Sequence, residues 1–216
     1  MTSKKKVPLK DSIAETVTLF KRYYPDAHCA LNYTNAFELL VATILSAQCT
    51  DERVNMVTPA LFKKYPTPQA MAKAKVEDIE MLIRSTGFYK NKARNLQACA
   101  AALVSKHKGI VPQELEALVE LAGVGRKTAN VVLGNAYGIP SGVVVDTHVT
   151  RLSNRLGWVK SQNAVLIEKQ LVKLVPMEDW IMLSHYLISH GRAICKARKP
   201  DCAHCFLEET CPKKGV

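Results

Sequence analysis

Apolar residues recur three and four positions apart along almost the whole chain, and this spacing limits the possible folds more than any other feature. Residues at these intervals share one side of a helix, and that side must pack against a neighbour. The one strand-like run, residues 143–145, is a short run of valines. The sequence therefore predicts an all-α fold. The apolar stripes consist of Ile13, Val17 and Phe20; Phe37, Leu40, Val41 and Ile44; Val54, Val57 and Leu61; Ile79, Leu82 and Ile83; Ala93, Leu96, Ala100 and Leu103; Ala129, Val132, Leu133 and Ala136; Ile167, Leu171 and Leu174; and Trp180, Leu183 and Leu187.

The chain also contains a candidate boundary between two lobes. Its 216 residues suffice for one large domain or for two small lobes, each with a buried core. Residues 138–142, Gly-Ile-Pro-Ser-Gly, are typical of a connection, and they lie between the two segments richest in candidate functional residues. We expect a lobe boundary at this connection.

The charge balance favours a polyanionic partner. The chain has 30 Lys and Arg residues against 19 Asp and Glu residues, a net charge of +11. Clustered cations gain affinity for nucleic acid by releasing its condensed counterions, although a membrane-surface protein or a merely basic protein has the same charge. No long helix is basic on one face and aromatic on the other, as docking on a membrane requires, and aromatic residues make up 6% of the chain.

The sequence shows neither a membrane span nor an export signal. Its longest apolar run, residues 39–45, is too short to cross a bilayer. The N-terminal segment MTSKKKVPLK is charged, but no hydrophobic run follows it, so we expect no secretory signal. A cytoplasmic protein is therefore predicted.

The segment from Leu118 to Leu133, LVELAGVGRKTANVVL, predicts two helices joined by a tight turn at Gly123, Val124 and Gly125. Two glycines two positions apart allow positive φ and a close approach to a ligand. The N–H groups that open the second helix lie at the positive end of its dipole, so the turn is suited to a phosphate group. The alternative is an ordinary helical hairpin, in which the glycines serve the turn alone. No strand precedes the turn, and neither nucleotide-binding glycine fingerprint fits its spacing.

Two residues near this turn are candidate catalytic groups. Lys127 follows Arg126 in the first turn of the second helix, where the dipole and the neighbouring cation both disfavour its charged form. A neutral lysine amine can attack an electrophilic carbon and form a Schiff base, and a phosphate contact is the alternative role. Asp146 follows the valine run and precedes a predicted helix. It is either a helix N-cap or a carboxylate held near Lys127 to stabilise positive charge or move a proton.

Four of the seven cysteines crowd the C-terminal segment: Cys195, Cys202, Cys205 and Cys211. In a cytosolic chain such a group indicates a metal site rather than disulfides. Zinc sites usually contain two close pairs, whereas here one close pair lies between two wider arcs, which suits the four-cysteine ligand set of a 4Fe–4S cluster. The cluster is favoured and zinc is the alternative. The cations around this segment are suited to a phosphate backbone, and they include Arg192, Lys196, Arg198 and Lys199.

Several motifs together carry a family resemblance. They are LAGVGRKTANVVL at 121–133, VDTH at 145–148, the spacing C-x6-C-x2-C-x5-C, and the segments LSAQCTD at 45–51 and GFYKNKA at 87–93. In this order and spacing they closely resemble the bacterial endonuclease III family, the DNA glycosylase/AP lyases of the helix-hairpin-helix superfamily. The similarity extends from about residue 12 to residue 211.

The resemblance implies an all-α protein of two lobes with DNA bound at a cleft. One lobe is a helical bundle over residues 30–140, with the helix-hairpin-helix at about 114–136. The other lobe combines residues 1–29 with residues 141–216 and carries the cluster loop, residues 195–211. The four cysteines match the ligands of one 4Fe–4S cluster per chain. The implied partner is double-stranded DNA with damaged bases or abasic sites, and we expect a monomer without membrane association, at the nucleoid if the source is bacterial.

The resemblance also implies residue roles. Lys127 matches the nucleophile at C1′ of the damaged nucleotide, Asp146 its carboxylate partner, and Gln48 the residue that fills the gap left by a flipped base. Two positions depart from the family pattern: Phe88 stands where a wedge residue is often aliphatic, and Ala122 stands where the hairpin usually has proline. The full DNA-binding set implied is Gln48, Phe88, Gly123, Val124, Gly125, Arg126, Arg192, Lys196, Arg198 and Lys199.

The implied activity has two steps. An oxidised pyrimidine such as thymine glycol is removed through a lysine Schiff base, and β-elimination then cuts the strand on the 3′ side of the abasic site. Flipping is needed because the reacting atoms cannot be reached inside a stacked duplex. Two alternatives stay open: a pyrimidine-dimer glycosylase/lyase of the same superfamily, and a non-catalytic, metal-stabilised DNA-binding module that binds without cutting.

Overall fold

The computed structural model describes residues 9–216, and these residues form eleven α-helices and no strand. The all-α prediction is confirmed. The N-terminal segment that we expect not to be a secretory signal lies, except for its last two residues, outside the described part of the chain. The helices are α1 (Leu9–Tyr23), α2 (Ala36–Leu45), α3 (Asp51–Lys64), α4 (Pro68–Ala72), α5 (Val76–Ile83), α6 (Tyr89–His107), α7 (Leu115–Val119), α8 (Arg126–Tyr137), α9 (Thr147–Arg155), α10 (Ala164–Leu174) and α11 (Trp180–Ala193).

The chain divides into two compact units. The first, Cys29–Ser141, contains α2 to α8 and is called the hairpin unit below. The second combines the segment that ends at His28 with Gly142–Val216, contains α1 and α9 to α11, and is called the cysteine-loop unit. Each unit has its own cluster of buried apolar side chains.

The hairpin unit is built around α2, which is buried on every side because its sequence, AFELLVATIL, is apolar almost throughout. Leu39, Leu40 and Leu45 of this helix have no exposed surface. Helix α8 packs on α2, and Ala129, Val132 and Leu133 of α8 are buried in the same core. The central helix therefore fixes the position of α8 and of the turn that precedes it.

The cysteine-loop unit buries the valine run as an extended connection. Val143 and Val145 lie in the core, and the Ser184 hydroxyl donates to the Val144 carbonyl at 2.8 Å. This bond and the two buried side chains hold the chain that leads into α9. Among the helices of the described residues, none has the length and apolar character that a membrane span requires.

Polar side chains define where several helices begin. Asn35, Thr50, Thr67, Asp146 and Asn163 each accept a hydrogen bond from a backbone N–H of the first turn of their helix. Such caps pair donors that a helix cannot satisfy internally. The sequence thus specifies these helix starts through local hydrogen bonds.

Candidate functional site

The glycine turn joins α7 to α8 in the hairpin unit. Gly123 has φ +78°, in the left-handed region, and a Cβ on it would lie 3.0 Å from Cβ of Asn95. Glycine is therefore required at this position both by the backbone and by the neighbouring side chain. The turn is anchored in the core by Leu121 and Val124, which are nearly fully buried.

Val124 differs in burial from the other predicted DNA contacts of the turn. Its side chain is 6% exposed, and its N–H donates to the Leu121 carbonyl at 3.1 Å. The side chain of this predicted DNA-binding residue therefore faces the core and anchors the turn. Gly123, Gly125 and Arg126 are the exposed members of this set.

The N-terminus of α8 opens on this exposed surface. Gly125 is its N-cap residue and, lacking a side chain, leaves the first turn without a side-chain cap. A Cβ on Gly125 would meet no atom within 4 Å, so the surface beside the first turn is open. Lys127 is the second residue of α8 and is exposed. A helix N-terminus of this kind, followed at once by two cationic residues, is suited to a phosphate group.

Asp146 lies in the cysteine-loop unit, whereas Lys127 lies in the hairpin unit. The Asp146 side chain is half-buried, and its Oδ1 accepts from the Val149 N–H at 2.8 Å. The interpretation as an N-cap is thus correct for one carboxylate oxygen. The cap fixes the orientation of the carboxylate at the start of α9.

Gln48 and Phe88 both lie on exposed connections of the hairpin unit, between α2 and α3 and before α6. Both have left-handed backbone conformations, with φ +52° for Gln48 and +48° for Phe88. Phe88 is 66% exposed, which is unusual for a large aromatic side chain. Non-glycine residues in this region are strained and tend to occur at functional sites.

The four C-terminal cysteines line one cavity in the cysteine-loop unit. Burial raises the pKa of the Cys205 and Cys211 thiols. The Leu207 N–H donates to Cys205 Sγ, and the Lys213 N–H donates to Cys211 Sγ, each at 3.4 Å. Half-buried thiolates need a cation to offset their desolvation, and N–H donors to sulfur are a feature of iron–sulfur sites. The donor set and cavity therefore fit a cluster.

Within residues 9–216, no three His, Cys, Asp or Glu side chains are arranged so that they could hold one metal ion. The spacing of the four cysteines along the sequence, with one close pair between two wider arcs, remains the argument for a cluster rather than zinc.

Two groups around the cysteines were missed by the sequence analysis. His190 is 2% exposed, and burial lowers its pKa to about 4, so it is neutral at physiological pH. The Tyr24 hydroxyl, whose pKa burial raises to about 12, lies 2.8 Å from His190 Nδ1, and His190 Nε2 lies 3.5 Å from Cys205 Sγ. With Tyr24 as donor to Nδ1, the remaining N–H points to the sulfur. The one feature of the sequence that could have identified His190 as buried is its position on the apolar stripe of α11.

Arg151 and Arg155 connect α9 to the cysteine loop. Arg151 Nη2 donates to the Cys195 carbonyl at 3.0 Å, and Arg155 Nη1 donates to the Lys196 carbonyl at 2.7 Å and to Cys195 Sγ at 3.4 Å. Helix α9, which Asp146 caps, is therefore tied to the loop by two arginines.

The predicted DNA-binding cations around the cysteine loop are all exposed: Arg192, Lys196, Arg198 and Lys199.

Comparison with known proteins gives consistent matches. Residues 41–177 match the HhH-GPD superfamily of base excision DNA repair proteins. The chain is 53% identical to endonuclease III of Synechocystis over 203 residues, which cover 94% of this chain and 93% of that protein. It is 42% identical to endonuclease III of Escherichia coli K12 over 200 residues, covering 93% and 94% of the two chains.

Solved structures show the same similarity. A trapped endonuclease III–DNA covalent intermediate, an estranged-adenine complex, matches with a TM-score of 0.88 and 45% identity over 99% of this chain and 97% of that one. A non-covalent endonuclease III–DNA complex matches with a TM-score of 0.89 and 44% identity over the same shares. A thermostable thymine-DNA glycosylase, at 23% identity and a TM-score of 0.83, shares the fold.

The glycine turn generates a prediction about stability. Gly123→Ala should lower the free energy of unfolding by about 1–2 kcal/mol, because alanine is disfavoured at positive φ and its Cβ meets Asn95. Gly125→Ala is the matched control, since φ is −91° and no atom lies within 4 Å of the new Cβ, so only the poorer capping by alanine remains and a smaller loss is expected. Urea denaturation of the three proteins measures both. Equal losses in the two variants would contradict this account of the turn.

Proposed function

The chain belongs to the HhH-GPD superfamily of base excision DNA repair proteins, and on that premise we propose which residues perform the reaction and on which lesion. The protein is a DNA glycosylase and AP lyase of the endonuclease III type. The proposed substrate is an oxidised, ring-saturated pyrimidine such as thymine glycol in duplex DNA, bound by a monomer, at the nucleoid if the source is bacterial. The single observation that carries the residue assignment is the exposed Lys127 in the first turn of the open helix α8.

DNA binding follows from the charge and from the start of α8. The net charge of +11 favours a polyanion, and releasing counterions from the DNA contributes to affinity. The exposed turn at Gly123, Gly125 and Arg126 receives a backbone phosphate at the positive end of the α8 dipole. Arg192, Lys196, Arg198 and Lys199 supply further phosphate contacts beside the cysteine loop.

In the first step, the Lys127 amine attacks C1′ of the damaged nucleotide. The bond from C1′ to the base nitrogen breaks, and the base leaves with the bonding electrons and takes up a proton. The amine loses a proton, the C1′–O4′ bond opens with protonation of O4′, and an imine between Lys127 and C1′ remains. Gln48 occupies the gap left by the flipped nucleotide, and Phe88 acts as the wedge.

In the second step, the protonated imine acidifies the C2′ hydrogens. Loss of one C2′ proton moves electrons toward the imine, and the C3′–O bond breaks as the 3′ phosphate leaves. Water then hydrolyses the imine and frees Lys127. Asp146 supplies the carboxylate that stabilises positive charge developing on the sugar and assists proton movement.

We further propose that Cys195, Cys202, Cys205 and Cys211 hold one 4Fe–4S cluster. The support is their common cavity and the N–H groups directed at their sulfurs. When bound, the cluster supplies a covalent cross-link of the loop and needs no redox role in the reaction. The loop in turn holds Arg151 and Arg155, and so supports the helix that Asp146 caps.

Iron and acid-labile sulfide analysis tests the cluster. The native protein should contain about four of each per chain. Cys202→Ser should lose most of both, whereas Cys29→Ser, which removes a thiol from the hairpin unit, should retain them. One zinc per chain without sulfide would exclude the cluster and restore the zinc alternative.

Borohydride trapping tests the nucleophile. The native protein on a thymine glycol duplex should give a permanent protein–DNA cross-link, and Lys127→Ala should give none, because the amine that forms the imine is absent. Lys106→Ala, an exposed lysine near the end of α6, is the control and should cross-link as the native protein does. A parallel duplex with a pyrimidine dimer distinguishes the lesion classes. DNA binding without any cross-link on either lesion would favour the binding module instead.

Substitution of Asp146 separates its role as the N-cap of α9 from its proposed role as a catalytic carboxylate. Asn is as good an N-cap as Asp, so Asp146→Asn should leave the free energy of unfolding nearly unchanged while it removes the charge. We expect single-turnover base removal to fall about 10²–10⁴-fold. Asp146→Ala should show a similar loss of rate together with about 1 kcal/mol of lost stability. If Asp146→Asn retains the native rate, the residue serves only as a cap.

A further inference from the structure

Lys92 is a buried lysine whose charge is held by backbone carbonyls. Its relative exposure is 5%, and its Nζ donates to the Leu45 carbonyl at 2.8 Å and to the Thr86 carbonyl at 2.7 Å. Burial lowers the pKa of this amine, an effect that nearby Cys49 opposes. Lysine is almost never buried to this degree unless paired, so these contacts call for an explanation.

The two carbonyls lie at the ends of helical segments. Leu45 is the last residue of α2, and Thr86 ends the short 3₁₀ turn Arg84–Thr86. Carbonyls at such ends have no intrahelical donor and carry the negative end of the dipole. Lys92 lies in the first turns of α6, and its side chain extends back toward the helix N-terminus, as helical side chains do. The ammonium thus joins two chain segments that have no covalent link nearby.

Each of these chain ends leads directly into a strained, exposed residue. Gln48 follows Leu45 by three positions and has φ +52°, and Phe88 follows Thr86 by two positions and has φ +48°. A non-glycine residue in this region costs about 1–3 kcal/mol and persists only where the surrounding structure imposes it. The Lys92 contacts are placed to impose both conformations at once.

We propose that Lys92 is a positioning residue for lesion recognition, which fixes the spacing between the Gln48 and Phe88 connections so that both side chains enter the duplex together. The inference rests on the proposed function in assuming that Gln48 and Phe88 contact DNA. It goes beyond that function in assigning a task to a residue that touches neither the substrate nor the reacting atoms.

A purely structural role and a positioning role differ in which substrates they affect. Base removal from a duplex requires the lesion to leave the stack and its gap to be filled. Strand cleavage at an abasic site in single-stranded DNA has no base stack to open and no gap to fill. Loss of positioning therefore slows the first reaction and spares the second, whereas general destabilisation slows both.

Lys92→Met tests this difference, because methionine has a similar length and no donor. We expect base removal from a thymine glycol duplex to fall roughly tenfold or more, which corresponds to about 1.4 kcal/mol. Cleavage of a single-stranded abasic site should change less than about twofold. Lys106→Met on the same helix should leave both rates unchanged. Equal losses on the two substrates overturn the proposal.

Lys92→Arg decides the question if the methionine variant does not fold. Arginine retains donors for both carbonyls but has a different length, so the spacing of the two connections changes while their pairing is kept. The same selective loss on duplex substrate is expected with a smaller amplitude. A folded arginine variant that loses both activities equally, or neither, contradicts a positioning role.

A fluorescence probe separates this proposal from the proposed chemistry. A duplex with a tetrahydrofuran abasic analogue opposite 2-aminopurine offers no base to remove and no C1′ that can form an imine. Native protein should change the 2-aminopurine emission on binding, and Lys92→Met should reduce that change at saturating protein. In Gln48→Ala/Phe88→Ala the added Lys92→Met should have little further effect, since residues that act together are non-additive. A full, additive effect overturns the proposal, whether or not the native protein cleaves thymine glycol DNA.

Discussion

The unpaired backbone groups at helix ends are the constraint on which the working parts of this protein depend. A buried helix end must find partners for its N–H or C=O groups, and an exposed one can offer them to a ligand. The carbonyl at the end of α2 accepts from Lys92, and the first turn of α9 is capped by Asp146. Helix α8 instead begins at a glycine, without a side-chain cap, on an exposed surface. The same physical requirement thus makes two ends rigid and leaves a third open to phosphate.

Backbone strain distinguishes the glycine turn from the two positions that we propose to contact DNA. Gly123 adopts positive φ at little cost, so its turn stores no backbone strain that other contacts must offset. Gln48 and Phe88 adopt similar φ values at a real cost, and the proposed DNA contacts require side chains that glycine does not have. The glycine turn therefore needs no buried cation to hold its backbone, whereas the Gln48 and Phe88 connections need the buried ammonium of Lys92.

Local patterns in the sequence predict the helices and the cysteine loop, because spacing and turn residues act over a few positions. Ile13, Val17 and Phe20 are all buried on α1 as their spacing predicts. Val124 is one of the predicted DNA contacts, and the burial of its side chain depends on a core assembled from distant segments, which no local pattern shows. Lys92 shares a stripe with Leu96 and Leu103, but a lysine there normally reaches solvent. Its carbonyl partners belong to segments 47 and 6 residues away, so no local pattern identifies them.

The cysteine loop and the arginines of α9 satisfy each other's hydrogen-bonding groups. Arg155 is 8% exposed, and its guanidinium donates to two loop carbonyls and to Cys195 Sγ. A buried cation is costly unless it is paired and fully hydrogen-bonded, and a buried thiolate is costly for the same reason. The two loop carbonyls that accept from Arg155, and the Cys195 carbonyl that accepts from Arg151, tie α9 to the loop, and the Cys195 sulfur adds a third acceptor to Arg155.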